Sequence, residues 1–512
     1  MSRIIKLKLK FIFLFFLFCQ NLFTQNSEFV KTNGSDLILN GKKFYSIGVN
    51  CYYLQNLAVK DTNLVNKILK IAKQIGVNTI RTWGFFDSSD STNPAVIQYA
   101  PGQFNEEALR ALDYVIYKAN QFSIKLIIPL VNNWDDFGGM NQYVRWYAER
   151  FSVNEKLLNV DETQLVYGTD GRSYRNMITP SLSHDDFYTN PLIQSWYVDY
   201  LVKILTRVNY FNNVRYLDDS TIMLWELANE PRSSDKTGEI VYKWLKDVSE
   251  FVKIIDKNHL VGSGEEGFDI NRYSYDEISI YPDWMFNGST GVSFKKNSSI
   301  NSLDVTGIHF YPEQWGINLQ KALGTEGSVG RWLKCYLKIA DHNRKPLMIN
   351  EIGIKKNKYL IYSLLLNQVI NSNTVSILLW QMNLEGSEFV DSYSFNYKND
   401  NSVCNLISRY SYRFRDKTNG ITQSIVDKNF MQNFPNPFND ISIVTYSVDR
   451  PKYIVLEVYN IIGQRITILA EGFHEIGEYQ VMLDGSFLTT GLYLIVMRYN
   501  AGYSVIKTVY VK

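Results

Sequence analysis

Ile222-Met223-Leu224-Trp225-Glu226-Leu227-Ala228-Asn229-Glu230-Pro231-Arg232 begins as an apolar run and ends in a polar turn punctuated by proline. That texture predicts a short buried strand, closing near Glu226, that hands the chain to a loop carrying Asn229 and Glu230. Working outward, similar runs recur at Tyr45 to Val49, Thr79 to Trp83, Leu126 to Val131, His259 to Gly262, Val305 to His309, Leu347 to Asn350 and Ser376 to Trp380. Segments of helical period lie between them, as at Asn105 to Asn120, where Leu109, Leu112, Val115 and Ile116 share one face. Strand-then-helix units repeated eight times predict an α/β fold, a (β/α)8 TIM barrel whose active site lies at the C-terminal strand ends.

From Ile421 the texture changes. Short alternating runs at Ile441 to Ser447, Tyr453 to Tyr459, Arg465 to Leu469, Gly477 to Leu483, Gly491 to Tyr499 and Tyr503 to Val511 are separated by Gly, Pro and Asn. Strands without helices predict a small all-β antiparallel sandwich. The expected layout is a signal peptide at 1–25, a catalytic barrel at 26–410, a polar linker at 411–427 and the sandwich at 428–512, in keeping with 512 residues exceeding one core.

Arg3, Lys6, Lys8 and Lys10 precede the apolar stretch Phe11 to Phe18. A basic start and so short an apolar run fit a cleaved export signal; a membrane span needs roughly 20 apolar residues. Cys19 follows bulky Phe and Leu, which disfavours a lipoprotein cysteine. The mature chain keeps Cys51, Cys335 and Cys404, too few and too scattered for a disulfide framework, and no close Cys/His spacing marks a metal site. Lys plus Arg is 53 and Asp plus Glu is 51, a net charge of +2, which argues against a nucleic-acid or polybasic membrane partner and for a neutral one. Aromatics reach 14%, and their flat faces suit sugar rings as well as they suit a core.

Glycosidic cleavage needs one carboxylic acid to protonate the departing oxygen and a second carboxylate to attack or to activate water. Glu230 follows the fourth predicted strand and Glu351 the seventh, so each sits where a barrel presents its catalytic groups. Glu226, Glu265, Glu266 and Glu313 also lie near strand ends and read more readily as structural salt-bridge partners than as substrate ligands.

Asn229-Glu230-Pro231 resembles the acid/base motif of the mannanase branch of glycoside hydrolase family 5, and Asn350-Glu351-Ile352-Gly353 is similar to its nucleophile motif. Asn78-Thr79-Ile80-Arg81-Thr82-Trp83-Gly84-Phe85, Leu130 to Gly139, His184 to Pro191, Gly264 to Phe268, Val305 to Trp315 and Trp380-Gln381 match the same family in order, across roughly residues 30 to 408. The resemblance implies a retaining endo-hydrolase of β-1,4-mannosidic bonds in mannan, glucomannan and galactomannan, with Glu230 as acid/base and Glu351 as nucleophile. It further implies that Arg81 keeps Glu351 ionised, that Asn229 binds the sugar 2-hydroxyl and that His309 and Tyr311 orient the glutamates. Trp380 would floor the cleavage subsite, and Trp83 and Trp134 would line its neighbours. No cofactor or metal enters. The loop Met382 to Tyr393 follows the family pattern only loosely, and Lys156 to Tyr174 says little about specificity.

Gln432-Asn433-Phe434-Pro435-Asn436-Pro437-Phe438-Asn439, with Thr490-Gly491-Leu492-Tyr493 and Lys507 to Val511, resembles the type A sorting domain of the type IX secretion system. That implies export to the cell surface or medium through the type IX machinery, by way of residues 428–512. A carbohydrate-binding sandwich is the alternative for this module, with Tyr493, Tyr499 and Tyr503 as its aromatics. An endo-glucanase on the same scaffold, or a non-catalytic mannan-binding protein, remain the alternatives for the whole.

Overall fold

The computed structural model describes residues 29–151, 166–167, 173–174, 182–272, 281–318, 328–418, 431–448, 452–475, 477–499 and 502–512. The expected signal peptide, the end of the expected linker and most of Lys156 to Tyr174 lie outside them.

Eight parallel strands form the central sheet: β1 (Ser46–Asn50), β2 (Thr79–Arg81), β3 (Lys125–Pro129), β4 (Ile222–Glu226), β5 (Leu260–Gly262), β6 (Thr306–Phe310), β7 (Leu347–Gly353) and β8 (Ser376–Trp380). Their order is β5-β4-β3-β2-β1-β8-β7-β6, with β1 paired to β8 as the barrel requires. No ladder joins β5 to β6; the backbone bonds Asp304 N to Val261 O (2.8 Å) and His309 N to Glu266 O (3.3 Å) span that seam. Each strand lies within a few residues of its sequence expectation, because buried parallel strands are continuous apolar runs legible without partners.

Helices cover the outside: α1 (Thr62–Gln74), α2 (Glu106–Gln121), α3 (Pro191–Leu205), α4 (Glu239–Ile255), α5 (Ser328–His342), α6 (Lys358–Ile370) and α7 (Asn401–Thr418). α2 starts where Asn105 accepts the Glu107 and Ala108 amides, and Glu106 and Glu107 complement the positive end of the helix dipole. Its apolar face buries Leu109, Leu112, Val115 and Ile116 against the sheet, worth about 1.5–3 kcal/mol for each large aliphatic side chain. Inside the barrel, Ile127, Met223, Leu224, Val305, Met348 and Leu378 fill the lower layer, and Leu37 from an N-terminal ribbon (31–43) joins them. Leu224→Ala would open a cavity there at about 2–5 kcal/mol. α7 runs to Thr418, so residues 411–418 of the expected linker are helical; Tyr410 and Phe414 are buried and tie this stretch to the barrel. Its polarity reflects the outward face of an amphipathic helix.

The C-terminal module contains β9 (Met431–Phe434), β10 (Ile441–Val448), β11 (Lys452–Asn460), β12 (Arg465–His474), β13 (Gly477–Asp484), β14 (Gly491–Tyr499) and β15 (Gly502–Tyr510). Two antiparallel sheets, β9-β10-β13 and β12-β11-β14-β15, enclose a core of Val444, Ile454, Leu456, Val458, Leu483, Ile495 and Met497. Where this module meets the barrel, Arg409 donates to Glu478 (2.8 Å), Gln480 to Ser363 (3.1 Å), and Tyr359 packs edge-on against Phe434. Among the described residues, no helix is long and apolar enough to cross a membrane.

Candidate active site

Four strands aim polar side chains into the upper barrel. Arg81 closes β2, fully buried, and its Nε donates to Glu226 (2.7 Å), Nη1 to Glu351 (2.5 Å) and Nη2 to Asn229 (2.7 Å). β7 carries a bulge: Ile308 pairs with Ile349 but His309 with Glu351, so Asn350 is the extra residue. A bulge re-aims side chains. Consecutive residues then both point inward, Asn350 donating to Glu226 (2.6 Å) and Glu351 meeting Arg81. Tyr311 donates to the other Glu351 oxygen.

Glu230 is held by its backbone. Its φ is +52°, a left-handed conformation that costs a non-glycine residue about 1–2 kcal/mol. Glu230 N to Gly264 O (2.8 Å) and Asn229 N to Val131 O (2.7 Å) fix that turn to both neighbouring strand ends. Gly264, at φ +73°, comes so close that a Cβ would stand 1.8 Å from Ala228 O, so glycine is required there. Trp134 Nε1 donates to Glu230 (2.6 Å), and His309 Nδ1 lies 2.8 Å from its other oxygen and 3.7 Å from Glu351.

One oxygen of each glutamate and one His309 nitrogen lie within 4.8 Å of one another. These groups would also suit a cation, yet Glu351 already accepts from Arg81 and Tyr311, and Glu230 from Trp134. Burial raises the pKa of Glu351; His309 and Arg81 oppose that rise, and the like charge of Glu230 adds to it. Arg81 thus touches Glu351 and favours its ionised form, but burial outweighs that pull and the carboxyl stands above its ordinary value. Burial lowers His309, but Glu351 and Glu230 beside it win, and its pKa stands above 6.5.

Trp380 at the end of β8 is half-buried, with Tyr52 stacked on it at 5.2 Å and 7°. Trp83, expected to line a subsite, is 5% exposed and packs against Tyr52, Phe85 and Phe137, supporting the platform from behind. Trp134 is 8% exposed, with the Arg232 guanidinium 5.0 Å above its ring. Glu226 is the Arg81 partner, Glu266 pairs with Arg232 through two bonds (2.7 and 2.8 Å), and Glu313 caps the Lys355 and Lys356 amides. Glu265 accepts from Ser263 and Asn297, and burial pushes its carboxyl up to about 7. The sequence reading missed Tyr52, the Trp134 bond to Glu230 and the inward turn of Asn350; a carboxylate beside Asn in a strand was the one available hint of a bulge.

Residues 27–376 match the family described as GH family 5 beta-mannosidase-like. The chain belongs to glycoside hydrolase family 5. This family 5 protein is 33% identical to mannan endo-1,4-beta-mannosidase 4 of Solanum lycopersicum, over 76% of the chain and 92% of that relative. It is 31% identical to mannan endo-1,4-beta-mannosidase 2 of Oryza sativa subsp. japonica, over 75% and 84%. Its structure aligns with the endo-beta-1,4-mannanase from Thermotoga petrophila at a TM-score of 0.70 and 27% identity, covering 92% of this chain and 98% of that one. Residues 432–512 of the family 5 protein match a secretion system C-terminal sorting domain.

Proposed function

We propose that this protein hydrolyses internal β-1,4-mannosidic bonds of mannan, glucomannan and galactomannan with retention of configuration. The observation that carries the reading is the pair Glu230, in the turn after β4, and Glu351, on β7, with one oxygen of each within 4.8 Å. Retaining glycosidases hold their carboxyls about 5–5.5 Å apart, whereas inverting enzymes leave about 6.5–9.5 Å for a water.

Glu351 attacks the anomeric carbon, the glycosidic C–O bond breaks, and the departing oxygen takes the proton of Glu230. Water then gives a proton to Glu230 while its oxygen displaces Glu351 from the sugar. Asn229, held by Arg81 and donating to Asn132 (3.0 Å), meets the 2-hydroxyl, a contact that strengthens as the ring gains oxocarbenium character. Arg81 and Tyr311 orient the nucleophile, and His309 and Trp134 the acid/base. Trp380 forms the floor of the cleavage subsite.

The sorting domain addresses the enzyme for export. In this reading residues 1–25 are cleaved as a signal and 428–512 engage the type IX machinery, which N-terminal sequencing of the secreted protein and export of a chain ending at Thr418 would test. For the activity, Glu351→Gln is expected to lose at least about 1,000-fold in kcat on galactomannan while still binding manno-oligosaccharides. Dominant wild-type turnover of cellulose, or substantial activity in Glu351→Gln, would overturn the assignment.

A further inference from the structure

The loop after β8 makes a polar contact with Trp380 that the proposed chemistry leaves unused. Asp391 Oδ2 accepts the Trp380 indole N–H (2.8 Å) and the Gln381 amide (3.1 Å). Its Oδ1 accepts Tyr393 N (2.8 Å) and Ser394 Oγ (2.9 Å). Four donors therefore converge on one carboxylate, and its orientation is fixed. Elsewhere the loop is pinned by Gln381 and Asn383, which both donate to Phe389 O (2.9 and 3.2 Å), and by Phe389 stacked on Tyr53 at 4.6 Å. Tyr393 completes the tie, donating to Gln314 (2.8 Å) with its ring 5.2 Å from Tyr311.

Tyr52 covers one face of the Trp380 indole, and Tyr311, the donor to Glu351, stands 6.4 Å away at 71°. A sugar held against Trp380 therefore meets the remaining face beside the nucleophile. An indole in that place has one polar handle, its N–H, and Asp391 grips it.

We propose that Asp391 is a positioning residue for the cleavage subsite, fixing the tilt of Trp380 and so coupling the eighth loop to the catalytic pair. The proposal rests on the reading of this cleft as a sugar-cleaving site. Misplacing a binding surface by about 1 Å can cost about 100-fold in rate, so loss of the grip should appear mainly in kcat.

The test is a double-mutant cycle of Asp391→Ala and Trp380→Phe, with kcat and KM measured on mannopentaose and thermal midpoints recorded for all four proteins. Asp391→Ala should lower kcat by about tenfold or more with KM changed less than about threefold. It should also diminish the tryptophan fluorescence change on mannopentaose binding. In Trp380→Phe, which lacks the N–H, adding Asp391→Ala should cost less than about twofold. An undiminished penalty in that background, or an unchanged kcat in the single variant, would sink the proposal. Asp391→Asn is the second probe: it turns an amide N–H towards the Tyr393 amide or loses the indole bond, and should fall between wild type and Asp391→Ala, whereas wild-type kcat would count against the proposal. Wild-type turnover of mannan and its loss in Glu351→Gln judge the underlying reading separately, and a different β-glycan substrate would simply replace mannopentaose in the cycle.

Discussion

Trp134 shows how one atom can matter more than a ring face. Its indole N–H points at Glu230 and favours the ionised carboxylate, the form the proposed acid/base adopts after giving up its proton. Trp134→Phe keeps the ring and removes the donor. The variant should lose about tenfold in kcat, and its pH–rate profile should keep activity to higher pH on the alkaline side, because Glu230 becomes harder to ionise. An alkaline limb that stayed in place would show that Trp134 acts only as a wall. The two glutamates were legible because each lies within a few residues of the end of an apolar run, whereas this bond joins residues 96 positions apart and exists only after the third and fourth strands pair.

At the level of elements, the loop after β5 couples geometry to pH. Glu265 is fully buried there, and burial lifts its carboxyl from an ordinary 4.5 to about 7. A raised folded pKa contributes stability that is complete below about 4.5 and is lost as pH rises through about 7, on the order of 3 kcal/mol in all. Glu265→Gln removes that dependence, and Asn297 can adapt, since its Oδ1 is buried without a partner and a flipped amide would accept from the new side chain. Denaturant unfolding between pH 4 and 8 should therefore show the variant gaining on the parent as pH rises; parallel curves would contradict the assignment. Strand positions were readable from apolar runs, and the course of α2 from the helical spacing of Leu109, Leu112, Val115 and Ile116. The bulge at Asn350 and the helical course of 411–418 were not, because both depend on what the neighbouring strand or barrel wall offers. Likewise Trp83 reads as a strand-end platform in the sequence, and only the packing of Tyr52, Phe85 and Phe137 around it shows that it is covered.

Across the whole molecule, a barrel with its own core carries a sandwich with a separate one, and the bonds between them are polar and partly exposed. Arg409 is 41% and Glu478 21% exposed in their pair, and such pairs are worth at most about 1 kcal/mol. Glu478→Ala should shift the thermal midpoint by only a few degrees and leave hydrolysis unchanged, as calorimetry and a galactomannan assay would check. A module joined this loosely suits an export address, while the rigid barrel holds Arg81, Glu230, His309 and Glu351 in register. The account stands on Glu351 bonding to the sugar before water arrives, and the anomer released first reports that step. Proton NMR of manno-oligosaccharide hydrolysis, recorded before mutarotation, should show the β-anomer accumulating first; early appearance of the α-anomer would contradict the double-displacement mechanism.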